Sequence, residues 1–326
     1  MSNPTKVHVG IDVSKLHLDC ALPERSLRVT NNEAGHRRLL AALPSEAHVV
    51  LEATGGYERA LVDALHQAAL IVSVINPRQV RDFARAAGLL AKTDQIDAGV
   101  LREFGHRMNC APTPPRSRAE RQLAELCALR DQFVDQRAQL LQSAEHYTLP
   151  ETRRALKTQQ SSLDRQIARL EKRLASVIAS EPALASRNAT LQAQSGVGPC
   201  TAALLLAHLP ELGEASRRQI GALAGLARFN HDSGPRRGHR HIRGGRTKVR
   251  RALYMATLSA IRAKGSPSAA FYRRLRQAGK PAKVALIATA RKLLCYLNHQ
   301  LKTAWLLPAP NRALYPLQSP LLIPGL

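Results

Sequence analysis

The residues best suited to chemistry are acids in a basic chain. The stretch KTDQIDAGVL, Lys92 to Leu101, sets Asp94 and Asp97 three residues apart. That is about one helical turn, so a helix would turn both side chains to one face. Two more acids close short apolar runs: Asp12 near the end of VHVGID and Glu52 at the end of HVVLE. If those runs are neighbouring strands, their carboxylates leave the sheet at one rim and all four acids can converge. Such a cluster repels itself unless a hard divalent cation with oxygen ligands sits within it. A pair of Mg²⁺ or Mn²⁺ ions there could activate a nucleophile and stabilise a leaving oxygen on phosphorus, with Lys92 holding a neighbouring phosphate. Plainer uses stand beside this one. Asp12 could cap a following helix, and Asp94 and Asp97 could be the N-cap and first-turn acids of a helix beginning near Gln95.

The chain of 326 residues carries 48 Lys and Arg against 24 Asp and Glu, a net charge of +24, and is 44% apolar. The apolar share supports a real core, and the length suits two or three domains. The excess charge points to a polyanion as partner, nucleic acid first, because so positive a surface gathers phosphate by releasing counterions. The charge is also lopsided: Asp232 is the last acid, and Ser233 to Leu326 hold 19 Lys and Arg with no Asp or Glu. A merely solvated surface would interleave both signs, so this region is built to lie against phosphate. The cysteines at 20, 110, 127, 200 and 295 form no Cys-x-x-Cys pair. They fit reduced thiols in a cytoplasm rather than a disulfide framework or a zinc knuckle. MSNPTKVHVGIDVS has no signal-peptide h-region and no apolar run reaches the length of a membrane span. A cytoplasmic location without membrane contact is expected, nucleoid-associated when the protein acts.

The elements that must position these acids can be read from periodicity. KVHVGIDVS, HLDCALP and SLRVT read as three strands, followed by a helix from about Glu33 to Ala42. AHVVLEAT is a fourth strand, Tyr57 to Gln67 a helix, and LIVSVIN a fifth strand ended by Pro77; helices then run to about Met108, ahead of PTPP. This order predicts a mixed sheet with helices packed on it over residues 1–112. Residues 113–182 read as two long helices, Ser117 to Ala144 and Arg154 to Ala179. The second carries Leu156, Leu163, Ile167, Leu170, Leu174 and Val177 at coiled-coil spacing, which favours self-association over a hairpin within the chain. Residues 183–305 read as a mostly helical unit interrupted by a basic loop, and residues 306–326 as a Pro-rich tail.

Within that last unit, LQAQSGVGPCTAALLLAHL places Gly196 and Gly198 in a short turn between helices. A helix-hairpin-helix uses such a turn to bring backbone amides near phosphate, and an ordinary tight turn looks the same. HDSGPRRGHRHIRGGRTKVRRALYMA is more informative. Arg236, Arg237, Arg240, Arg243, Arg246, Lys248, Arg250 and Arg251 come without an acid among glycines that let the main chain approach a ligand. With aromatic residues at 4% of the chain, phosphate and shape contacts are expected rather than base stacking. His231, His239 and His241 lack the cysteines or carboxylates of a zinc site and read as loop or phosphate-contact residues. Ser233, before a glycine, reads from chemistry alone as a turn residue.

GIDVSK, LEATGGY, VINPRQV and KTDQIDAGVL resemble the amino-terminal half of the DEDD transposases typified by insertion sequence 110, relatives of the Piv DNA invertases. SGPRRGHRHIRGGRTKVRRAL resembles that family's S-G motif and the Gly, Ile, Arg and Leu pattern that follows it. The resemblance runs from about Val7 to Leu297 and leaves out the tail. It implies an α/β RNase-H-like first domain of the RuvC type, a helical coiled-coil middle, and a mostly α-helical transposase domain with a helix-hairpin-helix-like turn. Asp12, Glu52, Asp94 and Asp97 would be the metal-binding tetrad, and Ser233 the nucleophile that forms a phosphoserine link to DNA. The implied partners are donor and target DNA, a noncoding bridge RNA, and further copies of the chain in a dimer or tetramer, with tetrad and serine contributed by different subunits. A junction nuclease that uses water, or a non-catalytic nucleic-acid scaffold, would carry many of the same features.

Overall fold

The alternation in VHVGIDV, HLDCA and SLRVT forms β1 (Val7–Val13), β2 (His17–Ala21) and β3 (Ser26–Thr30), each antiparallel to the one before. The structure, a computed structural model, describes residues 7–89, 94–229 and 241–304, and of these the side chains of 94, 95, 229 and 304 are not described. Helix α1 (Glu33–Ala42) starts at Asn32, whose side chain accepts from the Gly35 N–H. Strand β4 (Ala47–Glu52), α2 (Arg59–Gln67) and β5 (Ile71–Ile75) follow. Pro77 does more than end β5: it sits in the first turn of α3 (Pro77–Ala86), where its missing N–H has no helical partner to lose. Helix α4 (Asp94–Met108) comes last in the first compact unit, whose boundary falls between Pro115 and Arg116. Five strands make one mixed sheet in the order β3-β2-β1-β4-β5, with β4 parallel to both β1 and β5. This is the arrangement the strand pattern anticipates, and it is consistent with an RNase-H-like domain.

The two faces of the sheet bury different helices. Val9, Ile11, Val49, Leu51 and Val72 point into a core closed by Leu39 of α1 and Leu61 and Leu65 of α2. On the opposite face, Val50 packs with Val80 of α3 and Leu101 and Phe104 of α4. Helix α4 runs over β1 at Gly10, where an added Cβ would land on the Ala98 carbonyl oxygen and the Arg102 nitrogen. Farther along, Gly105 lies against Val50 and His8. At Gly10 helix and strand come within backbone contact, and at Gly105 the helix backbone rests on the side chains of Val50 and His8, which together fix the line that α4 takes across the sheet.

The second unit is helical. α5 (Arg118–Ala144) opens with a capping box in which Ser117 and Glu120 satisfy each other's backbone N–H groups, and α6 (Pro150–Ala179) follows. Helix α6 begins before the expected Arg154, because Pro150 serves its first turn. The two helices pair within the chain. Leu163, Ile167, Leu174 and Val177 of the expected seam are buried, and Arg130–Glu171 and Arg137–Asp164 ion pairs, each 2.8 Å, cross between the helices. Leu123, Cys127, Leu174 and Val177 at the hairpin's base share one core with Leu191 of α7 (Pro182–Gln192), Leu205 of α8 (Pro199–His208), Ile220 of α9 (Arg217–Leu223), Leu253 of α10 (Thr247–Arg262) and Leu294 of α12 (Ala282–Ala304). Helix α11 (Pro267–Gln277) packs on α10 and α12. Two-residue strands β6 (Arg228–Phe229) and β7 (His241–Ile242) pair antiparallel.

Burial accounts for the cysteines: it pushes the thiols of Cys20 and Cys127 up to about 12 and that of Cys110 up to about 11, and all five cysteines are free. Among the described residues no helix is long and apolar enough to cross a membrane. Gly10→Ala is expected to cost about 3 kcal/mol, because the atoms it meets are backbone and cannot step aside. Gly99→Ala, with open space at its Cβ position, should be neutral or stabilising by up to about 1 kcal/mol. Urea unfolding midpoints distinguish the two, and equal effects would refute the close approach.

Candidate active site

Sheet register lines up the charged residues on the α4 face. Asp12 of β1 is the register partner of Asp19 of β2, and Asp19 that of Arg28 of β3. On the other side of β1, Ile11 pairs with Leu51, so the next step sets Asp12 beside Glu52. Residues abreast on neighbouring strands share a face, so Arg28, Asp19, Asp12 and Glu52 form one transverse row. From Gly10 to Asp12 the strand advances roughly 7 Å. Stepping back from Ala98 to Asp94, the helix covers about 6 Å. The first turn of α4 therefore lies over this row and brings half-buried Asp97 to it.

The loops behind the rim are tied together. Asn31 Nδ2 donates to the Ser14 carbonyl at 2.8 Å and the Tyr57 carbonyl at 3.1 Å, joining the loop after β1 to the one after β4. In the LEATGGY turn, the Glu58 carboxylate accepts from the N–H groups of Thr54 and Gly56 at 3.1 and 2.9 Å. The backbone thus sets Asp12 and Glu52 abreast at one rim, on the face that α4 crosses. Among the described residues, however, no three His, Cys, Asp or Glu side chains close into a metal-holding group. The side chain of Asp94 lies outside the described residues, as does Lys92. The donor chemistry fits Mg²⁺ or Mn²⁺, since the set is all carboxylate oxygen.

Asp19 is the acid that sequence reasoning missed. It is 3% exposed and sits 3.6 Å from Arg28 Nη2. Like charges directly across strands repel by a fraction of a kcal/mol, and Arg28 on the far side of Asp19 offsets this. The signal was the short connection Ser14–Leu16 between β1 and β2, which sets the register that puts Asp19 opposite Asp12.

In the second unit, Ser233, Arg236, Arg237 and Arg240 lie outside the described residues, as do His231 and His239. The chain on either side of that segment is joined by the β6–β7 pair. The cations beyond it have partners in their own unit. Arg246 forms a bidentate pair with Glu211, at 2.5 and 2.6 Å, and also donates to the His208 carbonyl at 3.1 Å. Lys248 lies 3.4 Å from Asp131, and Arg251 lies 2.9 Å from Asp135, which strap α10 to α5. Arg250 donates to the Gly244 carbonyl at 2.7 Å, and Arg243 is exposed. The two turn glycines differ. Gly196 adopts φ +90° and faces Ala256 and Ala260 of α10 so closely that a Cβ would collide, whereas Gly198 is exposed with open space at its Cβ position.

A mixed sheet with acids at the ends of adjacent central strands, and a further acid on the helix crossing them, belongs here to a DNA transposase or recombinase, as two family matches show. A model for DEDD-type IS110 proteins, described as Transposase, matches residues 9–150. The Transposase IS116/IS110/IS902 family model matches residues 188–273. The chain belongs to the IS110 family of transposases. Two pilin gene-inverting proteins, from Moraxella bovis and Moraxella lacunata, are each 27% identical to it over 307 residues, covering 89% of this chain and 94% of theirs.

His208 supplies a pH test of how deeply its ring is buried in the second unit. Burial, together with nearby Lys248, lowers its pKa from 6.5 to about 4. The unfolded chain therefore takes up a proton first as pH falls, so this contribution to stability is full above about 6.5 and is lost on the way down to about 4. Chemical unfolding from pH 7.5 to 4 should show stability falling over that window, with a shallower fall in His208→Gln; an unchanged slope in the variant would contradict the assignment.

Proposed function

We propose that this protein is the transposase of an insertion sequence, cutting and rejoining DNA through a serine-linked intermediate. The observation that supports the reading is the register that sets Asp12 and Glu52 abreast at the ends of β1 and β4, on the face that α4 crosses. Asp12, Glu52, Asp94 and Asp97 would hold Mg²⁺ or Mn²⁺, which when bound supplies Lewis-acid stabilisation of charge on the scissile phosphate. Ser233 Oγ attacks phosphorus; its own proton departs, a bridging P–O bond of the strand breaks, and the leaving oxygen takes up a proton. A hydroxyl of another strand then reverses the step and frees the serine. One phosphodiester is restored for each one opened, so no ATP is consumed.

The relatives' name, for inverting a pilin gene, supports rejoining rather than simple cutting. Gly196 and Gly198, Lys92 and the basic loop cations Arg236, Arg237, Arg240 and Arg243 would contact phosphate, while Arg246, Lys248, Arg250 and Arg251, tied to acids and carbonyls of their own unit, would brace the helix behind them. A bridge RNA pairing with donor and target DNA would supply the sequence choice while the protein supplies chemistry, and the net charge of +24 suits a protein holding two polyanions. A homo-oligomer, with the α5–α6 hairpin as one pairing surface, would bring both DNA ends together.

The test is a denaturing gel of labelled donor and target DNA incubated with protein, RNA and Mg²⁺. The parent protein should give a protein-linked DNA adduct. Ser233→Ala should abolish it, and Asp97→Ala or chelation of the metal should reduce it by at least about 100-fold. Cutting that survives in Ser233→Ala without an adduct would mean a water-using nuclease, and full activity in Asp12→Asn would mean that the acids do not serve catalysis.

A further inference from the structure

We infer that α11 and the first half of α12 form a second DNA-contact face that grips duplex backbone. The inference starts from charge that nothing in the fold neutralises. Arg246, Lys248 and Arg251 spend their charge on Glu211, Asp131 and Asp135. Arg273, Arg274, Arg276, Lys280, Lys283 and Lys292 form no ion pair among the described residues, and all six are exposed. No acid lies anywhere in this stretch, since Asp232 is the last in the chain.

The six are also arranged. Arg276 Nη1 donates to the Lys280 carbonyl at 2.6 Å and closes the turn between α11 and α12, which keeps their cations on one hairpin. Farther along, Lys292 Nζ lies 4.2 Å and Arg274 Cζ 5.2 Å from the centroid of the same ring, Phe271. Two like charges are thereby held within about a Debye length, roughly 10 Å at 0.1 M salt. Each gains from the ring's negative face, yet no carboxylate separates them, and a phosphate set between them would relieve their repulsion. Lys280 in the turn and Lys283 in the first turn of α12 add two more cations beside α11. Duplex DNA presents one phosphate charge for roughly each 1.7 Å of its axis, so the hairpin can meet several at once. With the ring of Phe271 taken up by the cations, the contact is to phosphate and not to stacked bases.

This inference rests on the chain acting on DNA, as its family does. The variant is Arg273→Gln, Arg274→Gln and Lys283→Gln together, which leaves the Arg276–Lys280 turn intact; Lys302→Gln, near the other end of α12, is the control. Binding to a fluorescent 30-base-pair DNA duplex and to an RNA hairpin of similar length is measured from 50 to 300 mM salt, and circular dichroism checks folding. The triple variant should keep the parent's melting temperature. Its slope of log affinity against log salt on DNA should be shallower by about 2 to 3, and it should bind DNA about tenfold or more weakly at low salt. RNA binding should change less than threefold, and Lys302→Gln should match the parent on both. An unchanged DNA slope in a folded variant overturns the proposal, as does a loss equal on RNA or confined to it. Failure of the parent itself to bind duplex DNA would instead sink the functional reading above.

Discussion

The first unit depends on a contact between two backbones. Helix α4 can lie so close on β1 only because Gly10 has no side chain to hold the two backbones apart, while Gly105 lets the helix settle on Val50 and His8. That single approach sets the direction of the helix, and the direction decides which of its turns overhangs the strand ends. A shift by one turn would carry Asp97 about 5 Å along the sheet, away from Asp12 and Glu52. The packing of Leu101 and Phe104 against Val50 secures the helix laterally, while the glycines set its height above the sheet. The placing of the acids is thus an outcome of helix-to-sheet packing, and they are passengers on it.

Charge divides the second unit by a similar logic. Acids are confined to the chain before Ser233, so every cation after it must find its partner far away in sequence or have none. Those near the start of α10 find Glu211, Asp131 and Asp135 and become struts between helices. Those on α11 and α12 form no ion pair among the described residues. Composition alone makes all of these residues look equivalent; the fold sorts them into structural and available charge.

Much of the first unit was legible because its strands alternate and its helices have the right period. The five strands, α1, α2 and the placing of Asp12 and Glu52 at neighbouring strand ends follow from VHVGIDV, AHVVLE and the turn residues between them. The role of Asp19 was not legible, because it depends on a register set by a short loop and not on any pattern around the residue itself. Nor was the fate of Arg246, whose partner Glu211 belongs to a different part of the chain. The leucine spacing of α6 favours pairing with another copy over a hairpin, but spacing cannot distinguish another copy of α6 from α5, and within the chain α5 pairs with it.

The β6–β7 pair joins the chain after α9 to the chain before α10, with Arg228 opposite Ile242 and Phe229 opposite His241. Closing a chain segment costs only about 0.6 kcal/mol more for each doubling of its length. The ladder therefore tethers the start of α10 to the end of α9 at a cost that depends little on how many residues separate its two halves.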